Sequence, residues 1–179
     1  NSAMLKMFFG HRLQDSDSPV YSHLVRWNNS SHIREHIRKD FLNGVSPDPV
    51  GDFVNTLPEG FGQLDLLSRA QWLEASLFMS GYLLSSQGAR MGMAHSVEGR
   101  YPFLDHRVIE FAASLPWNLK IRGLNEKYLM KKLMNGRLPE QVVHRPKQAY
   151  RAPVASSLTS PSAPEYLREV ISGEMLNKF

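Results

Sequence analysis

Apolar residues recur at three- and four-residue spacing along the middle of the chain. Leu66, Ala70, Leu73 and Leu77 fall on one face of a helix starting near Gln63 to Asp65. Gly81 permits a kink, and helix formers continue from Leu83 to Ala94, so one long or two abutting helices are expected over 64–95. Asp105 is suited to N-cap the next helix, because its carboxylate can accept from the free amides of a first turn. Val108, Ala112 and Leu115 mark that helix's buried face, and Pro116 stops it. Asn125 is expected to cap a third helix that buries Tyr128, Leu129 and Leu133. Gly136 then sits where a left-handed residue ends it. Pro139-Glu140 opens one further turn.

Upstream, Ser30 or Ser31 can cap a helix running to about Asn43, with Ile33, Ile37 and Phe41 inward. The Gly/Pro/Asp stretch over 44–51 reads as a loop. The tail over 152–164 is rich in Ser and Pro, and a short helix is expected after it. Period-two alternation is weak everywhere, and only 118–121 is reserved for a strand. The expected fold class is all-α or nearly so.

The chain has 179 residues, enough for one domain with a real core. Hydrophobic content of 42% and charged content of 21% fit a globular protein. No run approaches the roughly 18 uninterrupted apolar residues of a membrane span, and no basic-then-apolar leader is visible. No membrane association is expected. The absence of cysteine removes disulfides, thiolate nucleophiles and Cys-zinc sites from this chain. A reducing cytoplasm is the expected compartment. A net charge of +4 would suit a polyanion. The cations are scattered, however, and the densest set, Lys127, Lys131 and Lys132, has the spacing of a solvated helix face. No nucleic-acid partner is therefore expected. Asn1-Ser2-Ala3 ahead of Met4 reads as a cloning scar, with the biological segment beginning at Met4 inside a longer protein.

Three constellations could carry chemistry. His32-Ile33-Arg34-Glu35-His36 has the H-x-x-E-H order of one class of zinc peptidase. Arg34, Arg38, Lys39 and Asp40 around it describe a wet face instead, and a catalytic zinc needs a third ligand. No metal site is expected there. The second is His144-Arg145-Pro146-Lys147-Gln148-Ala149-Tyr150-Arg151, a cationic loop braced by Pro146. Its lysine could act as a mobile point charge on phosphate oxygens, and Arg145 or Arg151 could grip two oxygens at once. It could equally be a basic loop that merely solvates. The third is the break Ser96-Val97-Glu98-Gly99-Arg100-Tyr101-Pro102-Phe103-Leu104-Asp105 between two helical patterns. Glu98 and Arg100, two residues apart on an extended segment, point the same way. They could pair with each other or together meet a ligand. Phe103 and Leu104 are expected in the core. Trp27, Trp72 and Trp117 are too dispersed to stack bases. No Gly-rich phosphate loop is present.

These segments together resemble the glutamine-dependent asparagine synthetases. The similarity runs in order from about Met7 to Pro153. It covers Tyr82-Leu83-Leu84-Ser85-Ser86-Gln87-Gly88, Arg90, Met93 through Asp105-His106-Arg107, Glu126-Lys127-Tyr128-Leu129 and Arg145-Pro146-Lys147-Gln148. The resemblance implies the helical C-terminal portion of an α/β adenine-nucleotide (pyrophosphatase-loop) synthetase domain, occupying 4–179. The family joins a glutaminase, whose nucleophile is its first cysteine, to a domain that adenylates aspartate on Mg-ATP and lets ammonia displace AMP. Aspartate, ATP and glutamine-derived ammonia are thus the implied partners, and ATP with Mg2+ the implied cofactors.

In this resemblance Lys147 matches the lysine near the departing pyrophosphate and is the expected catalytic residue. Glu98, Arg100 and Asp105 match the E-x-R-x-P-F-L-D block, read as organising the pocket, and Arg145 as a phosphate contact. The family's S-G-G-x-D-S loop, its S-G-E-G-x-D-E segment and the glutaminase are missing from the chain. Magnesium ligands are therefore expected outside it, and the chain alone is expected to be inactive. A cut edge would expose apolar surface and favour self-association, a homodimer being the simplest form. Ala89 stands where many relatives have Asp, which fits a divergent subfamily. That leaves amide synthesis on another carboxylate for a surface polysaccharide or peptide, or a non-catalytic helical interaction module, as the alternatives.

Overall fold

The computed structural model describes residues 12, 14–148, 153, 156, 158 and 160–170. The chain is mostly helical, with one two-stranded antiparallel sheet among the described residues. It divides into two compact units, Asn1–Leu129 and Met130–Phe179. No helix of the described residues is long and apolar enough to cross a membrane.

The first unit is organised around helix α1, Tyr21–Ser31. Val20, His23, Leu24 and Trp27 recur at helical spacing, and Val20 and Leu24 are buried with Phe61 and Leu73. Helix α2, Pro49–Asn55, packs Val50, Phe53 and Val54 against that cluster. It begins inside the stretch expected to be a loop. The Asp48 carboxylate accepts from the Gly51 amide at 2.9 Å, and Pro49 presets the first helical turn. Trp27 meets Phe53 edge-on at 5.6 Å, and Phe61 meets Trp72 at 5.2 Å.

The helix expected from Ser30 to Asn43 is instead two 3-10 turns, His32–His36 and Lys39–Leu42, after α1 ends. Ile37 between them is extended, and Ile33, Ile37 and Phe41 are exposed. A 3-10 turn eclipses residues three apart, so the α-period of these apolar positions finds no common face.

Helix α3, Leu66–Leu73, starts where expected. Asp65 caps it, accepting from Leu67 N at 3.0 Å and Ser68 N at 3.1 Å. A π-helix, Glu74–Gln87, continues it directly. The break comes at Gly88 and not at Gly81, and helix α4, Ala89–Ala94, follows. Gly88 is needed where it stands: a Cβ there would sit too close to the Leu83 carbonyl oxygen. The wider π turn explains why Leu73 is buried while Leu77, four residues on, is partly exposed, since its ladder closes five residues apart.

Helix α5, His106–Ser114, and helix α6, Trp117–Lys120, come next. Lys120 holds α6 to α5 and α3, donating to the Ala113 carbonyl at 3.1 Å and the Gln71 side-chain oxygen at 3.3 Å. Strands β1, Ile121–Arg122, and β2, Asn125–Glu126, form a hairpin with Ile121 opposite Glu126 and Arg122 opposite Asn125. Asn125 is therefore a strand residue and not a helix cap. Gly123, at φ +60, takes the first position of the two-residue loop, as such hairpins require.

Helix α7, Tyr128–Met134, spans the boundary of the units. Tyr128 and Leu129 are half-buried, but Leu133 is exposed. In the second unit Gly136 adopts φ +73 past the helix end, as expected. Pro139 leads into helix α8, Glu140–Val143, which buries Val143. The expected late helix is α9, Glu165–Val170, which Arg168 ties to the Pro161 carbonyl at 2.8 Å. Tyr150 and Arg151 lie outside the described residues.

Candidate functional site

The break between α4 and α5 is shaped by three local devices. The first ends α4. The Ser96 amide donates to the Met93 carbonyl at 3.0 Å, and the Val97 amide reaches back to the Gly92 carbonyl at 2.8 Å. Ser96 adopts φ +59 to make this possible. The pattern is a Schellman cap with serine where glycine is usual. Gly92 lets the returning chain come close, since a Cβ there would lie 3.2 Å from the Val97 carbonyl oxygen. The sequence offered no glycine to announce the cap at Ser96, so the strained residue was not foreseen.

The second device is a 3-10 turn, Pro102–Leu104, closed by the Leu104 amide on the Tyr101 carbonyl at 2.8 Å. Proline fixes its first φ and keeps Tyr101 out of the helical region, at φ -120 and ψ 82. The Tyr101 ring folds back over Gly99, where any Cβ would collide with it. The third is Asp105. One carboxylate oxygen accepts from the Arg107 amide at 2.9 Å and caps α5. The Arg107 guanidinium grips both oxygens, at 3.0 and 2.8 Å. Arg107 and the capping amide bonds hold the Asp105 carboxyl below its ordinary range, and Arg107 is raised in return.

Glu98 and Arg100 stand between these devices and pair at 3.2 Å, with side chains 76% and 83% exposed. An ion pair this exposed contributes about 0–1 kcal/mol, so it does not hold the break together. Both charges remain presented to solvent and free to rearrange around a ligand. Phe103 differs from expectation: it is 68% exposed, whereas Leu104 is half-buried. The turn is locally closed by backbone bonds and does not need the ring as an anchor.

Arg145 and Lys147 follow α8 in the second unit, on an exposed stretch. Neither forms an ion pair with a described residue. The structure thus brings Glu98 to Arg100 and Asp105 to Arg107 within the first unit, and assigns Arg145 and Lys147 to the second.

The H-x-x-E-H run has a different character. His32 Nδ1 and Glu35 Oε1 lie 3.0 Å apart on an exposed 3-10 turn. That contact holds the Glu35 carboxyl below its ordinary value. No group of three or more His, Cys, Asp or Glu side chains among the described residues could hold a metal ion.

Residues 2–179 match the family model described as asparagine synthase, and the chain belongs to that family. It is 28% identical over 124 residues to asparagine synthetase [glutamine-hydrolyzing] 3 of Bacillus subtilis, covering 69% of this chain and 19% of that protein. It is 28% identical over 144 residues to asparagine synthetase [glutamine-hydrolyzing] 1 of the same organism, covering 80% of this chain and 22% of that protein. Amidase chyE of Penicillium rubens is 31% identical over 93 residues, which are 49% of this chain and 14% of that protein. The chain therefore spans about a fifth of the length of the two synthetases it matches. No solved structure gives a significant match.

Proposed function

We propose that this chain is part of an amidotransferase-type ligase that forms asparagine from aspartate with AMP release, using ammonia drawn from glutamine. The observation that carries the reading is the family match over 2–179, together with an exposed Glu98–Arg100 pair on a rigid break. In this reading Lys147 lends positive charge to the phosphates as pyrophosphate departs. Arg145 can take two phosphate oxygens side by side. Glu98 and Arg100 exchange their mutual contact for contacts with the bound acid or nucleotide. Asp105 spends both oxygens on Arg107 and on the first turn of α5, so it positions the segment and does not touch substrate.

Adenylation of a carboxylate by ATP is a magnesium reaction. No group of three or more His, Cys, Asp or Glu side chains among the described residues could hold a metal ion on protein ligands alone, and no magnesium step is assigned to this chain. Its carboxylates belong to the remainder of the enzyme in this reading. The cytoplasm is the proposed compartment, with a homodimer the simplest assembly.

A second reading is amide chemistry on a different carboxylate. The amidase match supports it, as does the uncharged Ala89. ATP–pyrophosphate exchange by the full-length protein, run with aspartate and a panel of other acids, decides between the two. Aspartate-dependent exchange supports the first, and exchange with another acid selects the second. Lys147→Ala is expected to lower exchange by about a hundredfold or more, the scale of losing one charge-stabilising group. Undiminished exchange in that variant would remove Lys147 from the chemistry. The 179-residue chain by itself is expected to release no AMP, and release above background would overturn the reading of it as an incomplete part of the enzyme.

A further inference from the structure

His23 is the one strongly polar side chain in the core among the described residues, 2% exposed beside Val20, Leu24 and Leu73. Nothing in the ligase reading uses it. Its Nδ1 is hydrogen-bonded to the Ser22 hydroxyl at 2.9 Å. Its Nε2 is buried with no hydrogen-bond partner, and faces Glu74 Oε1 at 3.5 Å. Trp27 packs on the ring at 5.5 Å. Glu74 is the first residue of the π-helix and is already engaged by Arg26 Nη2 at 2.9 Å. Arg26 is held in place by the Phe78 ring, 5.3 Å from its guanidinium carbon.

The charged groups facing the ring are therefore Arg26 from its own helix and Glu74 from the π-helix. Helix α2, the Phe61–Gln63 turn and Leu73 of α3 bring apolar side chains to this core, Tyr21 adds a phenol, and α3 also carries Arg69, whose Nε is buried without a hydrogen-bond partner. A neutral ring costs little here, because one nitrogen is satisfied and the other borders a carboxylate. A charged ring would be a buried cation whose sole carboxylate is shared with a guanidinium.

We propose that His23 is an acid-sensitive latch: neutral, with Nδ1 accepting from the Ser22 hydroxyl and Nε2–H turned to Glu74, it packs α1 against the π-helix, and a second proton, taken at Nδ1 at the expense of the Ser22 bond, puts a cation in the apolar core and destabilises the first unit. The direction agrees with the side chain's titration. Burial first, then Arg26, hold the imidazole below its ordinary 6.5, with Glu74 opposing. The unfolded chain thus binds the proton more readily, and stability rises with pH across the window between the folded value and 6.5. It is present above that window and lost as pH falls through it. This inference stands apart from the ligase reading, since it needs no substrate.

The test is the melting temperature of the 179-residue chain, followed from neutral to mildly acidic pH. The wild-type chain is expected to lose roughly 2–4 °C more than His23→Phe, which fills the space and cannot titrate. The exposed histidines remain in that variant, so the difference isolates His23. Equal losses in the two proteins overturn the proposal. Glu74→Gln leaves the ring in place and removes its carboxylate, so the acid loss should deepen. An unchanged or shallower loss there also overturns it, and this arm stands even where His23→Phe does not fold.

Discussion

Two stretches of the first unit reach order by opposite means. Around α1 and α3, order comes from distance: Val20, Leu24, Phe61 and Leu73, far apart in sequence, bury one another. Over α4, the break and α5, order comes from neighbours. A Schellman cap, a proline turn and an aspartate cap fix the backbone within a few residues, while Met93, Phe103, Ile109 and Phe111 stay exposed. The lesson is that the exposed Glu98–Arg100 pair sits on the stretch whose shape is local. Such a stretch can present Glu98 and Arg100 at a fixed place, and leaves Met93, Phe103, Ile109 and Phe111 exposed.

Packing separates the two stretches most. Leu73→Ala should cost about 2–5 kcal/mol in urea unfolding, because Leu73 is 0% exposed and its truncation leaves a cavity. Phe111→Ala, at 62% exposed, should stay within about 0.5 kcal/mol. Similar losses in the two variants would mean that α5 has a core of its own.

A smaller effect sharpens the local half. Ser96→Gly should stabilise the α4 cap by about 0.5–1 kcal/mol. Relief of the left-handed serine outweighs the extra freedom gained by the unfolded chain. Slower hydrogen exchange at the Val97 amide, whose bond to Gly92 closes the cap, would register it. Faster exchange would show that Ser96 makes the cap in spite of no strain.

The smallest effect is electrostatic. Arg107, then its backbone amide, hold Asp105 below its ordinary 3.8. The cap therefore contributes stability that is complete above that value and is lost as pH falls through the lower, folded one. Helicity of α5 should drop in strong acid, and Asp105→Ala should abolish that component. An identical acid profile in the variant would show that the carboxylate does not govern the helix start.

Much of this architecture was legible residue by residue. Asp65 and Asp105 start helices because a carboxylate beside free amides needs no tertiary partner. Gly136 ends one because φ +73 costs least to a residue without a Cβ. Other features were hidden. Helix α1 carries the spacing of Val20, Leu24 and Trp27, but His23 interrupts its apolar face and obscures the pattern. The Asp48-Pro49 start of α2 was masked by the glycines and prolines around it. Asn125 was drawn into a hairpin by Gly123, whose turn outweighed the cap. The charged break was legible as chemistry, yet its dependence on Ser96 and Arg107 was not, since neither residue type marks such a role.

The sequence alone determined the helical class, the helix starts at Asp65 and Asp105 and the run of charges from Glu98 to Arg107, because each rests on chemistry between near neighbours. Tertiary structure decided which apolar face became core, the passage of α3 into a π-helix and the burial of His23 against Glu74. Those outcomes depend on what distant segments leave exposed to water, and no local pattern encodes that competition.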